Sequence, residues 1–579
     1  MGTGTNRLIV VRRGVLLVAA LLLAWSVAVL VTGGFVVETR WRTFSSRAAI
    51  RPLLAAALLL LFYATRWRRH GRQDLGPLAR VPLTLALAVA ATCTALLVGV
   101  GWGARIGGGP DAAGYVSQAA MFVRGELTVP APEWATDARW PNAALAGAPI
   151  GYHPMTDVRS LAPTYSPGLP LLMALFHVVA GPRAVFLVVP FLAAACVWAT
   201  YRLGLTLRGS WAGAIAAMLL VSSPTFLVMT VQAMSDIPVT TFWTLSLVAA
   251  LRGHPAGAGL AACVAILVRP NLVPLSAFPL ALLLARSDTR IRHGVLFSAA
   301  LVPAAAIVGS LNWYYRGDPL RSGYGSFDYL YSMSRVLPNL KQYARWFGDA
   351  ETVLPLAGVF APVLARVSRQ DRTRLLLVCA GFPAAVLALY LPYLVFQSHE
   401  WGYLRFLLPG YPALIAGAAV SFTSLMERAR WRHAAVVAAT VVVVALTVHG
   451  WRFATEHGVF SAQQADERYT RAIAHVRTLE RNAVLVSLAH SGTLWFYTGR
   501  DVLRFDAIEG AEIDAAVADL QARGRPVYLV GDPFEIEMFR RRFAGTDAAA
   551  RLADARVTDL QGTVAYPLSA ATSRSSERK

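Results

Sequence analysis

The sequence predicts an α-helical polytopic membrane protein of about 13 helices that ends in a soluble α/β domain. Three observations lead there. Of the 579 residues, 56% are hydrophobic and only 15% are charged, with a mean hydropathy of +0.49, whereas soluble domains carry about 25% charged residues. Apolar runs of spanning or near-spanning length recur as far as residue 450, and after Trp451 the composition turns to that of a water-soluble protein.

The runs begin near residues 14, 52, 82, 183, 211, 237, 256, 270, 294, 352, 375, 406 and 433. The first follows Arg7, Arg12 and Arg13 and is long enough to cross a ~30 Å hydrocarbon core. No small-residue cleavage site follows it, so it reads as an anchor and not a removed signal peptide. Residues 1–80 form an N-terminal pair of apolar runs, and 81–450 hold the main membrane domain. Residues 451–570 read as the α/β domain, and 571–579 as a disordered tail. In the α/β domain, NAVLVSLAHSGTLWFYTGR and RPVYLVGD with PFEIEMFRRRF each read as a strand followed by a helix. This pattern implies at least two parallel strands. It contains neither GxGxxG nor a P-loop, so nothing in it points to nucleotide binding.

The net charge of +21 would suggest nucleic acid in a soluble protein. Here the arginines cluster between apolar runs, as the positive-inside rule requires, and no nucleic-acid partner is implied. Arg202 and Arg208, Arg252, Arg286 with Arg290 and Arg292, Arg366 to Arg374, and Arg428 to Arg432 fall on one side if the helices alternate. That side is the cytoplasmic one of a bacterial-type inner membrane, and the opposite side receives residues 105–182, 312–351 and the C-terminal domain. Arg40, Arg42, Arg47 and Arg51 compete with Arg66, Arg68, Arg69 and Arg72 for the cytoplasmic face, so one of the first two runs need not cross. The stretch PTYSPGLPLLMALFHVVAG is expected to lie along the interface. Cys93, Cys196, Cys263 and Cys379 sit inside apolar runs without CxxC or Cys/His spacing, so neither a disulfide framework nor a zinc site is implied.

Few residues can do chemistry in such a chain. Asp111, in GPDAAGYVSQAAMFVRGEL, stands at the mouth of the run that begins at Pro82. An ionisable group there is costly to desolvate and marks a functional site; a helix N-cap is the structural alternative. Asp236, in QAMSDIPVTT, has the same two readings, and Arg405, in GYLRFLLPGYP, is either a phosphate clamp or an interfacial arginine. Arg269, in LVRPNLVP, and Lys341 are further cationic candidates. His153, Asp157 and Arg159, in YHPMTDVRS, lie together in the first long loop, where His and Asp admit a divalent metal; no other cofactor is implied.

A G-x-D-x-x-x-Y context after an early membrane helix, a loop ending in Y-x-P-G-x-P-L-L, the segment MSDIPVTTFW and the helix entry WGYLRFLLPGYP follow one another in that order. Together they resemble the GT-C class of membrane glycosyltransferases, nearest to the polyprenyl-phosphate-dependent protein mannosyltransferase and aminoarabinose transferase types. The resemblance covers roughly residues 80 to 450. It implies a donor sugar on an isoprenoid phosphate and a glycan, lipid or protein acceptor. It casts Asp111 as catalytic base, Asp236 as a second carboxylate that orients a basic residue or holds the acceptor, and Arg405, Arg269 or Lys341 as the donor-phosphate clamp. Tyr115, Tyr165 and Tyr324 join His153, Asp157 and Arg159 as substrate contacts. The additional N-terminal runs and the α/β C-terminus depart from the pattern and leave the acceptor open. A lipid-linked saccharide transporter or a non-catalytic envelope assembly factor are the alternatives; a transporter calls for midplane polar groups and internal repeats, and neither stands out.

Overall fold

The computed structural model describes residues 81–285, 290–395, 400–554 and 558–568, together with 50–70 and parts of 11–46. The N-terminal anchor's Arg7 and Arg13, the competing Arg40, Arg42, Arg47 and Arg72, Arg286 and the tail 571–579 lie outside the described residues.

Seven described helices are long and apolar enough to cross a membrane, or nine if each of two sharply bent pairs is one span. The sequence reading of about 13 treated shorter apolar stretches as full spans. Pro255–Val268 and Pro270–Leu284 are two such stretches, and Asp236–Arg252 has 17 residues. Proline explains much of the shortening: Pro270 and Pro274 lie in a tight helical segment, and Ser210–Val221 breaks by 64° before Pro224–Thr230. A proline withholds a backbone donor and clashes with the preceding turn.

The helices sort into inner and outer by burial. Trp401–Arg428 and Pro182–Arg208 are 83% and 67% buried over their most apolar windows, whereas Arg290–Arg316 and His433–Glu456 are 11% and 6% buried. The outer helices therefore present Val, Ile and Leu side chains to their surroundings, which an aqueous medium would penalise over so large an area. Close crossings use small residues. Gly204 meets the backbone of Ala212 and Gly213, and Gly259 meets Phe297 and Ala300. Arg208 pairs with Glu427 at one end of the long inner span, while Arg405 lies at its other end. The basic clusters and Asp111 thus occupy opposite ends of the bundle.

The helix Leu83–Trp102 leads into a short turn and then the helix Gly109–Val123. The rest of the first long loop folds into a small antiparallel sheet, with Ser160–Pro163 between Val129–Pro130 and Tyr152–Pro154. The helix Gly168–Ala180 has 13 residues, about 20 Å at 1.5 Å per residue, too short to span, and it exposes Leu171, Leu175, Val178 and Val179. This fits the interfacial reading.

The C-terminal sheet has five strands. Val484–Ser487 pairs in parallel with Asp501–Arg504 and Val527–Gly531, as the strand-helix repeat implied, and Val564–Pro567 adds antiparallel to Val527–Gly531. The core of this sheet includes Trp134, Ala135 and Ala146 from the first loop. Trp134 donates its indole N–H to Asp501 at 3.2 Å, and Thr493 donates to the Gly107 carbonyl at 2.9 Å. The loop and the α/β domain are one packed body, a relation that composition along the chain does not reveal.

Candidate active site

Where the helix bundle, the first loop and the α/β domain meet, they enclose a cavity of about 1480 Å³ lined by Asp111, Tyr115, Tyr165, Arg269, Tyr324 and Arg405, among others.

Asp111 is not a helix cap. Gly108 holds the cap position, and Asp111 is the third residue of the helix Gly109–Val123. There a carboxylate still gains from the positive end of the helix dipole, but its two oxygens are spent elsewhere. Oδ1 accepts from the Tyr165 hydroxyl at 2.9 Å, and Oδ2 accepts from both terminal nitrogens of Arg405 at 3.2 and 3.3 Å. The side chain keeps a third of its surface accessible from the cavity. Gly114, one turn on, makes this possible: an ideal Cβ there would come within 2.1 Å of the Tyr165 ring.

Asp236 sits behind this first pair, fully buried, as the first residue of the helix Asp236–Arg252. Its Oδ1 accepts from Arg269 Nη2 at 2.6 Å, and its Oδ2 lies 3.9 Å from Arg405 Nη1. Ser235, at the cap position, does not cap the helix. Its hydroxyl oxygen accepts from Tyr115 at 3.1 Å and from Arg269 Nε at 3.2 Å. Of the two roles open to Asp236, the geometry matches the orienting of a basic residue; it does not line the cavity.

Two guanidiniums and two carboxylates therefore alternate across the site. Arg269 Nη1 is buried with no hydrogen-bond partner, and an unmade bond of that kind is costly unless a ligand completes it. Phe406 supplies an aromatic face to both cations, at 5.1 Å from Arg405 and 5.7 Å from Arg269. Tyr115 stacks tilted on Tyr165 at 4.6 Å, and Tyr324 meets Tyr165 edge-on at 5.8 Å. Burial, with Asp111 adding to it, pushes Tyr115 up to about 12 and Tyr165 well above the ordinary phenol range. Both remain donors at neutral pH.

Other sequence candidates fall elsewhere. Lys341 is an exposed residue of the helix Val336–Ala350 and does not line the cavity. Its place in a loop near the right end of the bundle did not set its direction. Asp157 and Arg159 sit at the exposed tip of a hairpin, where Asp157 accepts from the Arg159 and Ser160 backbone N–H groups at 3.1 and 3.2 Å. His153 is on the adjoining strand and does line the cavity. Asp157 is thus occupied in a turn while His153 faces inward, and the two do not fit a shared metal site. Among the described residues, His490, Asp532 and Glu535 do cluster as metal-type ligands. There Asp532 is taken by Arg468 at 2.8 Å and His490 at 2.9 Å, and Glu535 completes a capping box.

Sequence reading missed the contribution of the C-terminal domain. Asp466, Arg468, Tyr469 and Arg504 line the cavity. The Tyr469 ring lies against Gly108, where a Cβ would come within 2.5 Å. Nothing in their local pattern marks them, since the fold brings them more than 300 residues back to Asp111.

No protein-family model and no curated protein matches the chain. Solved structures do. ArnT from Cupriavidus metallidurans, in a crystal structure bound to undecaprenyl phosphate, has a TM-score of 0.50 and 15% identity, covering 86% of this chain and 99% of its own. The apo oligosaccharyltransferase of Archaeoglobus fulgidus has a TM-score of 0.50 and 11% identity, covering 85% of this chain and 75% of its own. The likeness is one of fold alone, shared with these two membrane proteins at low identity.

Proposed function

We propose that the protein is an integral-membrane glycosyltransferase that moves a sugar from an isoprenoid-phosphate carrier to a hydroxyl of a glycan, lipid or protein, on the outer face of a cytoplasmic membrane. One observation carries the reading: a cavity-facing carboxylate at a helix N-terminus, Asp111, is in contact with a guanidinium, Arg405, beside a second arginine with an unused donor. The fold supports it, as does the undecaprenyl phosphate bound by ArnT.

In this reading the donor phosphate enters against Arg269 and Arg405, with its tail along Ile266, Val268, Leu301 and Val308, which line the same cavity. The phosphate takes over donors of Arg405, and Oδ2 of Asp111 is released to an acceptor hydroxyl. Asp111 then accepts that hydroxyl's proton as its oxygen bonds to the anomeric carbon. The bond from that carbon to the phosphate oxygen breaks, and its electron pair leaves with the lipid phosphate. The guanidiniums stabilise the charge that develops there. Asp236 is a positioning residue that keeps Arg269 aimed. The aromatic group of Tyr115, Tyr165 and Tyr324 walls the sugar.

The test is purified protein in nanodiscs with polyprenyl-phosphate sugars, following release of the lipid phosphate. Wild type turns over, and Asp111→Asn, which keeps the shape and the Tyr165 hydrogen bond, loses ~10²-fold or more. Parental turnover in the Asn variant sinks the assignment.

A further inference from the structure

The cavity has a second cationic end. His153, Arg316 and Arg504 line it, and they come from three separate parts of the chain. His153 lies on a strand of the first loop, Arg316 is the last residue of the helix Arg290–Arg316, and Arg504 is the last of the strand Asp501–Arg504. Arg504 is neutralised by Asp506, to which it donates at 2.6 and 3.0 Å. Arg316 is not neutralised. Its Nη2 donates to the Pro163 carbonyl at 2.9 Å and its guanidinium lies 5.7 Å from the Tyr315 ring; it has no ion pair among the described residues. This end of the cavity therefore carries one uncompensated positive charge, whereas Asp111 and Asp236 balance Arg405 and Arg269 at the other.

His153 adds a neutral partner. His153 stands opposite Ala162 in the small sheet, next to the Pro163 whose carbonyl takes Arg316; burial first, then Arg504 and Arg316, push its ring down to about 4 against a hydrogen bond to the Gly323 backbone. Gly323 lets the second loop close over this group, since a Cβ there would come within 2.5 Å of Arg316 Nη2. The next residue, Tyr324, leans on Tyr165, which holds Asp111. The two charged ends thus share one wall.

We propose that His153, Arg316 and Arg504 form a second anion subsite, which holds a phosphate or carboxylate carried by the acceptor while the acceptor's hydroxyl faces Asp111. The proposal rests on the glycosyltransferase reading of the cavity. It favours the acceptor over the donor lipid because Arg504 belongs to the α/β domain and His153 to the loop packed on it. Ile266 and Val268, by contrast, lead an apolar tail to Arg269. An unpaired guanidinium with free donors suits an anionic oxygen group, which it binds through charge-assisted hydrogen bonds.

Full-length protein in nanodiscs is titrated with glucose 6-phosphate, a soluble probe that carries hydroxyls and a phosphate, with glucose as its neutral counterpart, and with undecaprenyl phosphate. The phosphorylated sugar binds tighter than glucose. Arg316→Gln weakens it roughly tenfold or more without changing undecaprenyl phosphate affinity, and Arg316→Lys restores part of the loss. Equal binding of the two sugars overturns the subsite. So does an Arg316→Gln effect confined to undecaprenyl phosphate, which assigns Arg316 to the donor. Failure of the wild type to bind undecaprenyl phosphate instead sinks the glycosyltransferase reading, while the sugar-phosphate comparison still reports on the subsite.

Discussion

Asp111 and Arg405 are 294 residues apart in the chain and meet at 3.2 Å in the cavity. Each occupies the other's hydrogen-bonding capacity, so a ligand that claims one of them releases the other.

Arg405→Lys keeps the charge but not the planar fork that spans two oxygens, and it gives up the stacking on Phe406. The donor KM rises and the acceptor KM stays near its parental value. Steady-state kinetics with a purified polyprenyl-phosphate sugar decide this. Unchanged donor dependence in Arg405→Ala would transfer the clamp to Arg269 alone.

Asp236→Ala strands the Arg269 guanidinium in a buried place. Removing one partner of a buried pair costs roughly 3–5 kcal/mol, so thermal unfolding in detergent drops well below the parental midpoint. Asp111→Asn, at a partly accessible position, leaves that midpoint nearly where it was. Equal destabilisation by the two changes would contradict the inner and outer placement of the carboxylates.

Asp466 faces the cavity from the α/β domain, and burial, opposed by Arg468, raises it to about 6. A carboxyl whose folded value lies above its unfolded one favours folding in its protonated form. That contribution is complete below the unfolded value of about 4 and is lost as pH rises through about 6. Asp466→Asn should therefore be more stable than wild type at pH 7, with the difference shrinking as pH falls to about 4. Melting curves across that range check it, and a pH-independent difference would assign the effect to packing.

Membrane orientation follows from the opposite placement of the basic clusters and Asp111. In a cysteine-free background, Arg159→Cys is labelled in intact cells, and Arg369→Cys only after permeabilisation. The reverse result inverts the protein and removes the outer-face site.

Much of this fold is legible in the sequence because membrane helices and strand-helix repeats announce themselves over a dozen residues. Asp111 stood out as a carboxylate directly after an apolar run, and Arg405 as a lone cation at a helix entry. Direction and distant company are less visible. Lys341 and Arg405 are both cations near the same end of the bundle, yet only packing decides that Arg405 points inward. Asp157 shares a short segment with His153, but the hairpin turn consumes its oxygens. Arg504 and Tyr469 carry no local signal because their place in the cavity arises from docking of the α/β domain.

The contact of Tyr469 with Gly108 bears on how this protein can be recombined with others of its fold. A chimera cut at residue 451 would divide one bearing surface between two parents, and any side chain larger than glycine at 108 would collide with the Tyr469 ring. An exchange that moves residues 105–182 and 451–568 together keeps both halves of that surface, so these two stretches form the natural unit to transplant.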